Sequence, residues 1–191
     1  MTKETFNKIS EIFNIDLYPT DKDNLGYLTN FYDNFLIKIK NKPITFMEIG
    51  VGACGSIKLW RDYLHPKSKI YAADIKYFDH IENTISIIGD MYSEKQISKF
   101  SDEYFDIIID DGPHTFESFS ILIEKYFSKL KTGGTLIIED VINFEWVEPL
   151  CNLSTYFNYS SYEVFDMNGK QKNSYALSPT VNGLYILVLT K

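Results

Sequence analysis

Asp110, Asp111 and His114 follow directly on the apolar run Ile107-Ile-Ile109 in the segment Phe105-Asp-Ile-Ile-Ile-Asp-Asp-Gly-Pro-His114. Adjacent carboxylates repel each other unless something cationic or hydrogen-bonding compensates them. Glu139 and Asp140 repeat the pattern at the end of Thr135-Leu-Ile-Ile. Two apolar segments that deliver carboxylates to one edge, with a histidine beside them, have the composition of a reactive site.

A second constellation is Phe46-Met-Glu48-Ile-Gly50-Val-Gly52-Ala-Cys-Gly55-Ser56, which contains G-x-G-x-x-G. Glycines at that spacing permit a tight turn and close approach of a ligand to the backbone, and Asp74 stands where an acid accepts hydrogen bonds from a ribose diol. A nicotinamide-dependent oxidoreductase is therefore one reading. Against it, Glu48 precedes the first glycine by two positions and Asp90 follows in Ile88-Gly89-Asp90-Met91, so the crevice is acidic where a pyrophosphate would sit. A ligand with cationic groups fits better, and S-adenosyl-L-methionine carries an ammonium and a sulfonium. The cofactor-binding set on this reading is Glu48, Gly50, Gly52, Ser56, Asp74, Ile75, Gly89, Asp90, Met91 and Asp110.

The elements that must position these residues alternate from Ile44 onward. Strands are predicted at 44–49, 70–74, 85–88, 105–110, 135–139, 161–167 and 183–190, and helices at 55–64, 93–100 and 115–130. Gly133-Gly134 reads as a stop for the last helix. Such alternation implies a mostly parallel α/β sheet of seven strands, with ligands at the carboxyl ends and the last two strands closing one edge as an antiparallel hairpin. Residues 3–14 read as a short amphipathic helix. Residues 26–40 read as another, with Tyr27, Phe31, Phe35 and Ile39 on a packing face and Tyr27 and Tyr32 within reach of the site. Trp60 is expected to pack the first crossover helix onto the sheet. His65 and His80 lie in polar turns and read as surface residues. Trp146, Phe144, Tyr156, Phe157 and Tyr159 form either an acceptor-facing wall or ordinary core.

At 191 residues, 45% hydrophobic and 16% aromatic, the chain reads as one globular domain, a helical cap at 1–43 on a core at 44–191. A net charge of −7 disfavours nucleic acid as the main partner. No apolar run is long enough to span a bilayer and Met1–Phe6 has no signal-type apolar stretch, so a cytoplasmic protein with no membrane partner is expected. Cys54 and Cys151 have no metal-type spacing and suit a reducing compartment.

The loop Glu48–Ser56, the run Asp110-Asp-Gly-Pro-His114, the run Gly133-Gly-Thr-Leu-Ile-Ile-Glu-Asp140, and Thr20-Asp-Lys22 with Gly26-Tyr27 and Tyr32 together resemble the class I methyltransferases. More narrowly they resemble the metal-dependent sugar O-methyltransferases of macrolide and glycan pathways, a group similar to the cephalosporin hydroxylase-like proteins. The resemblance spans roughly residues 18–145 and implies a three-layer Rossmann-like fold. It implies a divalent metal held by Asp111, Glu139 and Asp140, and a general base at His114. An all-carboxylate set suits Mg²⁺ or Mn²⁺ and not zinc. On this reading a hydroxyl made more acidic by the metal gives its proton to His114, with Asp111 also in the catalytic set, while Asp110 faces the cofactor or braces the loop. The implied acceptor is a small molecule, a sugar or a nucleotide-linked or glycan sugar, and a homo-oligomer is compatible with it. The chain departs from the pattern at Pro113, where serine is commoner, at Cys54, where glycine is common, and at Leu25-Gly26, where a histidine is frequent. Competing readings are an oxidoreductase or hydroxylase on the same fold, a non-catalytic cofactor-binding module, and, for Asp111 alone, a plain cap of the helix near Thr115.

Overall fold

The structure is a computed structural model, and it describes residues 6–156, 159–172 and 183–191. Seven strands form one sheet: β1 Thr45–Ile49, β2 Lys69–Asp74, β3 Ile85–Ile88, β4 Phe105–Asp110, β5 Leu130–Val141, β6 Ser161–Asp166 and β7 Tyr185–Thr190. Their order is β3-β2-β1-β4-β5-β7-β6. The first five are parallel, and β7 inserts antiparallel between β5 and β6. Helices α1 Asp33–Leu36, α2 Gly55–Tyr63, α3 Glu94–Ile97, α4 Phe116–Tyr126 and α5 Val147–Thr155 flank it.

Apolar side chains on alternate residues of each central strand feed two separate cores, because successive strand residues point to opposite faces. Phe46, Ile107, Ile109 and Ile137 pack with α2 and the N-terminal segment on one face. Met47, Ile108, Leu136 and Ile138 pack with α4 and α5 on the other. Trp60 packs α2 onto the sheet as expected, fully buried with its ring 6.0 Å from Phe46 and 4.8 Å from Tyr32.

Four expectations need correction. Among the described residues, the helix expected at 3–14 is only the single 3₁₀ turn Ile9–Glu11. The segment 93–100 forms just one helical turn, Glu94–Ile97. Gly133-Gly134 does not end a helix: α4 closes through the 3₁₀ turn Phe127–Lys129, and β5 already begins at Leu130. Helix α5 was not expected, because its sequence VEPLCNLST is short, carries a proline and follows a polar turn.

The helix expected at 26–40 opens as a π-turn, Leu28–Tyr32, and continues into α1. This has a consequence for the site. On an α-helix Tyr27 and Tyr32 would lie roughly 140° apart around the axis. The wider π-turn brings residues five apart onto one side, and both tyrosines reach the same sheet edge.

Gly50 adopts φ +84°, and a Cβ there would run into the Asp111 carbonyl. Gly133 has φ +77° but open space around it. Gly133→Ala should therefore cost only the left-handed strain of about 1–2 kcal/mol, whereas Gly50→Ala should cost clearly more, since the β1 and β4 loops must also separate. Urea unfolding of the two variants checks the ordering.

Candidate active site

Strand alternation resolves the adjacent carboxylates. Glu48 on β1 pairs with Ile109 on β4, which pairs with Ile137 on β5. Glu48, Asp111 and Glu139 therefore emerge on one face, that of the N-terminal segment, and Asp110 emerges on the other. Asp110 is fully buried there, where its Oδ1 accepts from the Tyr92 hydroxyl at 2.7 Å and the Gly112 amide at 2.9 Å. Burial pushes its carboxyl up to about 6, against the pull of those donors.

The compensating cation on the first face is Lys22. Its side chain is fully buried, and Nζ lies 2.7 Å from Asp111 Oδ2, 3.4 Å from Glu48 Oε1, and in direct contact with Glu139 Oε2. Burial opposes the ammonium, but Asp111, Glu139 and Glu48 outweigh it and hold Lys22 well above the ordinary lysine range. The tyrosines complete the shell: Tyr32 donates to Glu139 and Tyr27 to Asp140. Glu48 also accepts from Trp60 Nε1 at 2.7 Å and Ser56 Oγ at 3.0 Å. Lys22 is the site residue that motif reading left without a role. Its partners lie 89 and 117 positions away, so no local pattern announces it.

The segment carrying Lys22 is fixed from both sides. Tyr27 N donates to the Lys22 carbonyl at 2.8 Å, Lys172 N to the Asn24 carbonyl at 2.7 Å, and Lys172 Nζ pairs with Asp23 at 2.7 Å. Gly26, at φ +78°, passes so close to the Lys170 carbonyl that a side chain would collide with it.

On the solvent side, His114 sits between two acids, with Nε2 3.2 Å from Asp111 Oδ1 and Nδ1 3.7 Å from Asp140 Oδ2. Desolvation lowers its pKa, but the Asp111 hydrogen bond and the Asp140 charge more than reverse this and raise it above the ordinary histidine value. Burial acts on Asp111 in the opposite sense to Lys22 and His114, and the two cationic partners win, so Asp111 is held below the usual carboxylate range. His114 and Asp140 both adopt positive φ, 54° and 53°. The helix behind them is capped by Thr115, whose side chain accepts from Ser118 N at 3.1 Å, so Asp111 is not its cap.

Asp111, His114 and Asp140 can each present a ligand atom within 4.8 Å of the other two. The two carboxylates at this partly exposed edge suit a hard divalent cation, and the His114 imidazole lies beside them. Glu139, grouped with Asp111 and Asp140 by motif resemblance, instead keeps its carboxylate with Lys22 and Tyr32.

Beside this cluster opens a cleft of about 740 Å³. Gly50, Gly52 and Ser56 line it from the first loop, Asp74 and Ile75 from the second, Gly89, Asp90 and Met91 from the third, and Asp111–Pro113 from the fourth. Pro19, Thr20 and Asp21 roof it from the N-terminal segment. Asp74 Oδ2 accepts from Val51 N at 3.0 Å and Gly52 N at 3.3 Å, so it braces the glycine loop. Glu48 and Asp110, expected on the cofactor, lie behind the cleft and hold its walls. Phe144 and Tyr156 are exposed, and Trp146 meets Phe116 edge-on at 6.0 Å; Phe157 lies outside the described residues.

No protein-family model matches the chain. Demethylmacrocin O-methyltransferase of Streptomyces fradiae is 29% identical over 141 residues, 68% of this chain and 35% of that protein. Mycinamicin VI 2''-O-methyltransferase of Micromonospora griseorubida is 29% identical over 133 residues, 64% of this chain and 33% of that protein. The chain thus spans about a third of the length of these curated relatives. The MycE methyltransferase of the mycinamycin pathway, solved with Mg and SAH, superposes with a TM-score of 0.72 at 20% identity, over 97% of this chain and 55% of that one. The fold is that of the Rossmann-like methyltransferases. The relatives are sugar O-methyltransferases of macrolide and polyketide pathways. Within the methyltransferase fold, the strand-end loops that line the cleft also carry the acid cluster, so one edge serves both.

The two tyrosines separate by exposure. Glu139 is 1% exposed, so Tyr32→Phe leaves a buried oxygen without its donor and should cost about 1–3 kcal/mol in urea unfolding. The Asp140 side chain is 17% exposed, so water can replace the lost hydroxyl, and Tyr27→Phe should cost less than Tyr32→Phe.

Proposed function

We propose that this chain carries out S-adenosylmethionine-dependent, divalent-metal-assisted O-methylation of a hydroxyl on a sugar or similar polyol. The observation that carries the reading is the shared loop: Asp111–Pro113 forms one wall of the cleft, and the same Asp111 belongs to the Asp111–His114–Asp140 cluster. Donor and acceptor sites that share a loop hold their reacting groups adjacent, and such positioning can supply roughly 7–11 kcal/mol of a transfer barrier.

In this reading the glycine loop Gly50–Gly52, braced by Asp74, receives the cofactor, and the acids Asp74, Asp90 and Asp111 along the cleft favour its cationic methionine end over a pyrophosphate. Asp111 and Asp140 would hold the divalent ion, since Mg²⁺ is commonly bound through one or two protein carboxylates. When bound, the ion lowers the pKa of a coordinated hydroxyl, and S-adenosylmethionine supplies the electrophilic methyl group. The imidazole of His114 receives the hydroxyl proton. Asp111 and Asp140, flanking the ring, stabilise the imidazolium that results. Glu139 stays with Lys22 and Tyr32, and Asp110 with Tyr92 keeps the Asp111–His114 loop in shape.

The sugar class is supported by the relatives, three of which are named for acceptors bearing an olivosyl or rhamnosyl group. No helix among the described residues is long and apolar enough to cross a membrane. Free, buried Cys54 and Cys151 suit the reducing cytoplasm.

The test is formation of S-adenosylhomocysteine with a panel of glycosides. Turnover should disappear after exhaustive chelation and return with Mg²⁺; turnover untouched by chelation would remove the metal from the mechanism. His114→Ala should lower kcat by roughly 10²–10⁴, while calorimetric affinity for S-adenosylhomocysteine stays within a few-fold of the parent.

A further inference from the structure

We propose that Tyr92 is a positioning residue: its phenol ties the wall of the cleft to the turn that carries His114, so the acceptor side of the site is held in place from the cofactor side. The inference rests on the proposed methyl transfer and concerns how the two halves of that site are aligned.

Tyr92 stands where the loop after β3 meets the loop after β4. Its own backbone is fixed: the Tyr92 amide donates to Asp90 Oδ1 at 2.9 Å, and the preceding Met91 carbonyl accepts from the buried Tyr126 hydroxyl at 2.7 Å. Asp90, Met91 and Tyr92 all line the cleft. From that wall the Tyr92 hydroxyl donates to Asp110 Oδ1 at 2.7 Å, and the Gly112 amide donates to the same oxygen at 2.9 Å. Asp110 Oδ2 is buried without a hydrogen-bond partner, so one oxygen makes both bonds that hold the turn.

Gly112 shows how closely these parts fit. Its backbone is not left-handed, so glycine is required there by contact: a Cβ would lie 2.3 Å from the Tyr92 hydroxyl oxygen and 2.8 Å from Asp110 Oδ1. Beyond Gly112 only Pro113, with its restricted φ, precedes the left-handed His114 at φ 54°. Such a conformation persists only where its surroundings over-determine it. On one side the constraint is the Thr115 cap of α4, and on the other it is the Tyr92–Asp110–Gly112 contact. Removing the phenol oxygen leaves Asp110 with a single donor and lets the turn relax, which moves the imidazole from its place between Asp111 and Asp140. A misplacement of about 1 Å can cost roughly 10²-fold in rate.

The experiment separates alignment from binding and from general loss of a hydrogen bond. Tyr92→Phe should keep its calorimetric affinity for S-adenosylhomocysteine within a few-fold of the parent while kcat falls roughly tenfold to hundredfold. Tyr104→Phe removes the hydroxyl of another half-buried tyrosine, one paired with Tyr71 outside the cleft, and should leave kcat within a few-fold. A readout independent of turnover is the imidazole NMR spectrum, in which His65, His80 and His114 are assigned by substitution. In ligand-free Tyr92→Phe the His114 signal should shift or broaden while the other two stay in place. The double variant Tyr92→Phe/Asp110→Ala should be no slower than Asp110→Ala alone, because the two residues act as one unit. A parent-like kcat and His114 signal in Tyr92→Phe, additive losses in the double variant, or an equal loss in Tyr104→Phe would each overturn the proposal and leave the methyl-transfer reading standing. A parent protein that binds no S-adenosylhomocysteine would overturn that reading and this inference with it. If Tyr92→Phe does not fold, Gly112→Ala carries the same test, since its methyl group forces the phenol off Asp110. It should show the same fall in kcat and the same His114 shift, and parent-like values there would sink the idea.

Discussion

The buried ammonium of Lys22 is the charge on which this sheet edge depends. Taking a carboxylate or an ammonium out of water costs several kcal/mol per ion even after relaxation, and mutual attraction offsets this only where the geometry is close and the leftover lone pairs are occupied. The first condition holds at Lys22, and the second holds for the carboxylate oxygens around it except Glu48 Oε1, which has no hydrogen-bond partner. Lys22 touches Asp111 and Glu139, Tyr32 takes the second Glu139 oxygen, and Trp60 with Ser56 takes one Glu48 oxygen. Because the three acids come from the loops and ends of β1, β4 and β5, a single side chain ties the N-terminal segment to three strands at once. The same tether lays Pro19–Asp21 over the cleft. The roof of the cleft and the charge balance of its floor thus have one cause.

Two of the five described non-glycine residues with positive φ stand where that balance meets solvent. Of the described non-glycine residues with positive φ, Cys54 lies in the glycine loop, and His114 and Asp140 lie in the acid cluster. Each such residue costs of order 1–3 kcal/mol and persists only where its surroundings over-determine it. For Asp140 the reason is geometric. Strict alternation would send its side chain to the face opposite Glu139. The register of β5 against β7 breaks between Ile138 and Val141, and the left-handed turn brings Asp140 to the edge that holds His114 and Tyr27. For His114, the turn Asp110-Asp-Gly112 is closed by Asp110 Oδ1, and Tyr92 holds Asp110 from below.

The strands were legible because parallel strands buried on both faces are continuous apolar runs, and Ile107-Ile-Ile109 and Leu136-Ile-Ile138 leave no other reading. The glycine loop and the acid pairs were legible because their chemistry is local in sequence. What escaped depends on distance or on small departures from regular geometry. The N-terminal segment has helical periodicity from residue 3, but its described part, from Phe6, folds as turns, because tertiary hydrogen bonds such as Ser10 to Asp33 override its propensity. The π-turn that aims both tyrosines at the site has no sequence signature. Gly133-Gly134 announces a break, but in this chain the break falls inside β5, where Gly134 lies against the Lys131 and Phe105 carbonyls.

Lys22 was the hardest to see, since a lone lysine in Thr20-Asp-Lys-Asp-Asn24 reads as a solvated charge. Yet charge parity contains the clue. Glu48 sits one residue before the end of β1, Asp111 one beyond β4, and Glu139 near the end of β5; the register puts all three on one face and Asp110 on the other. Three acids on a covered face cannot stand without a cation, and the face is covered by the segment that precedes β1 and by α2. Among the described residues Lys22, in that covering segment, is the one lysine or arginine that is buried, and it turns inward to the three acids, while Arg61 of α2 pairs with neighbouring Asp62. The first puzzle in the sequence, two adjacent carboxylates at a strand mouth, is therefore answered twice: by hydrogen-bond donors for the residue facing α4, and by a buried ammonium for its neighbour facing the N-terminal segment.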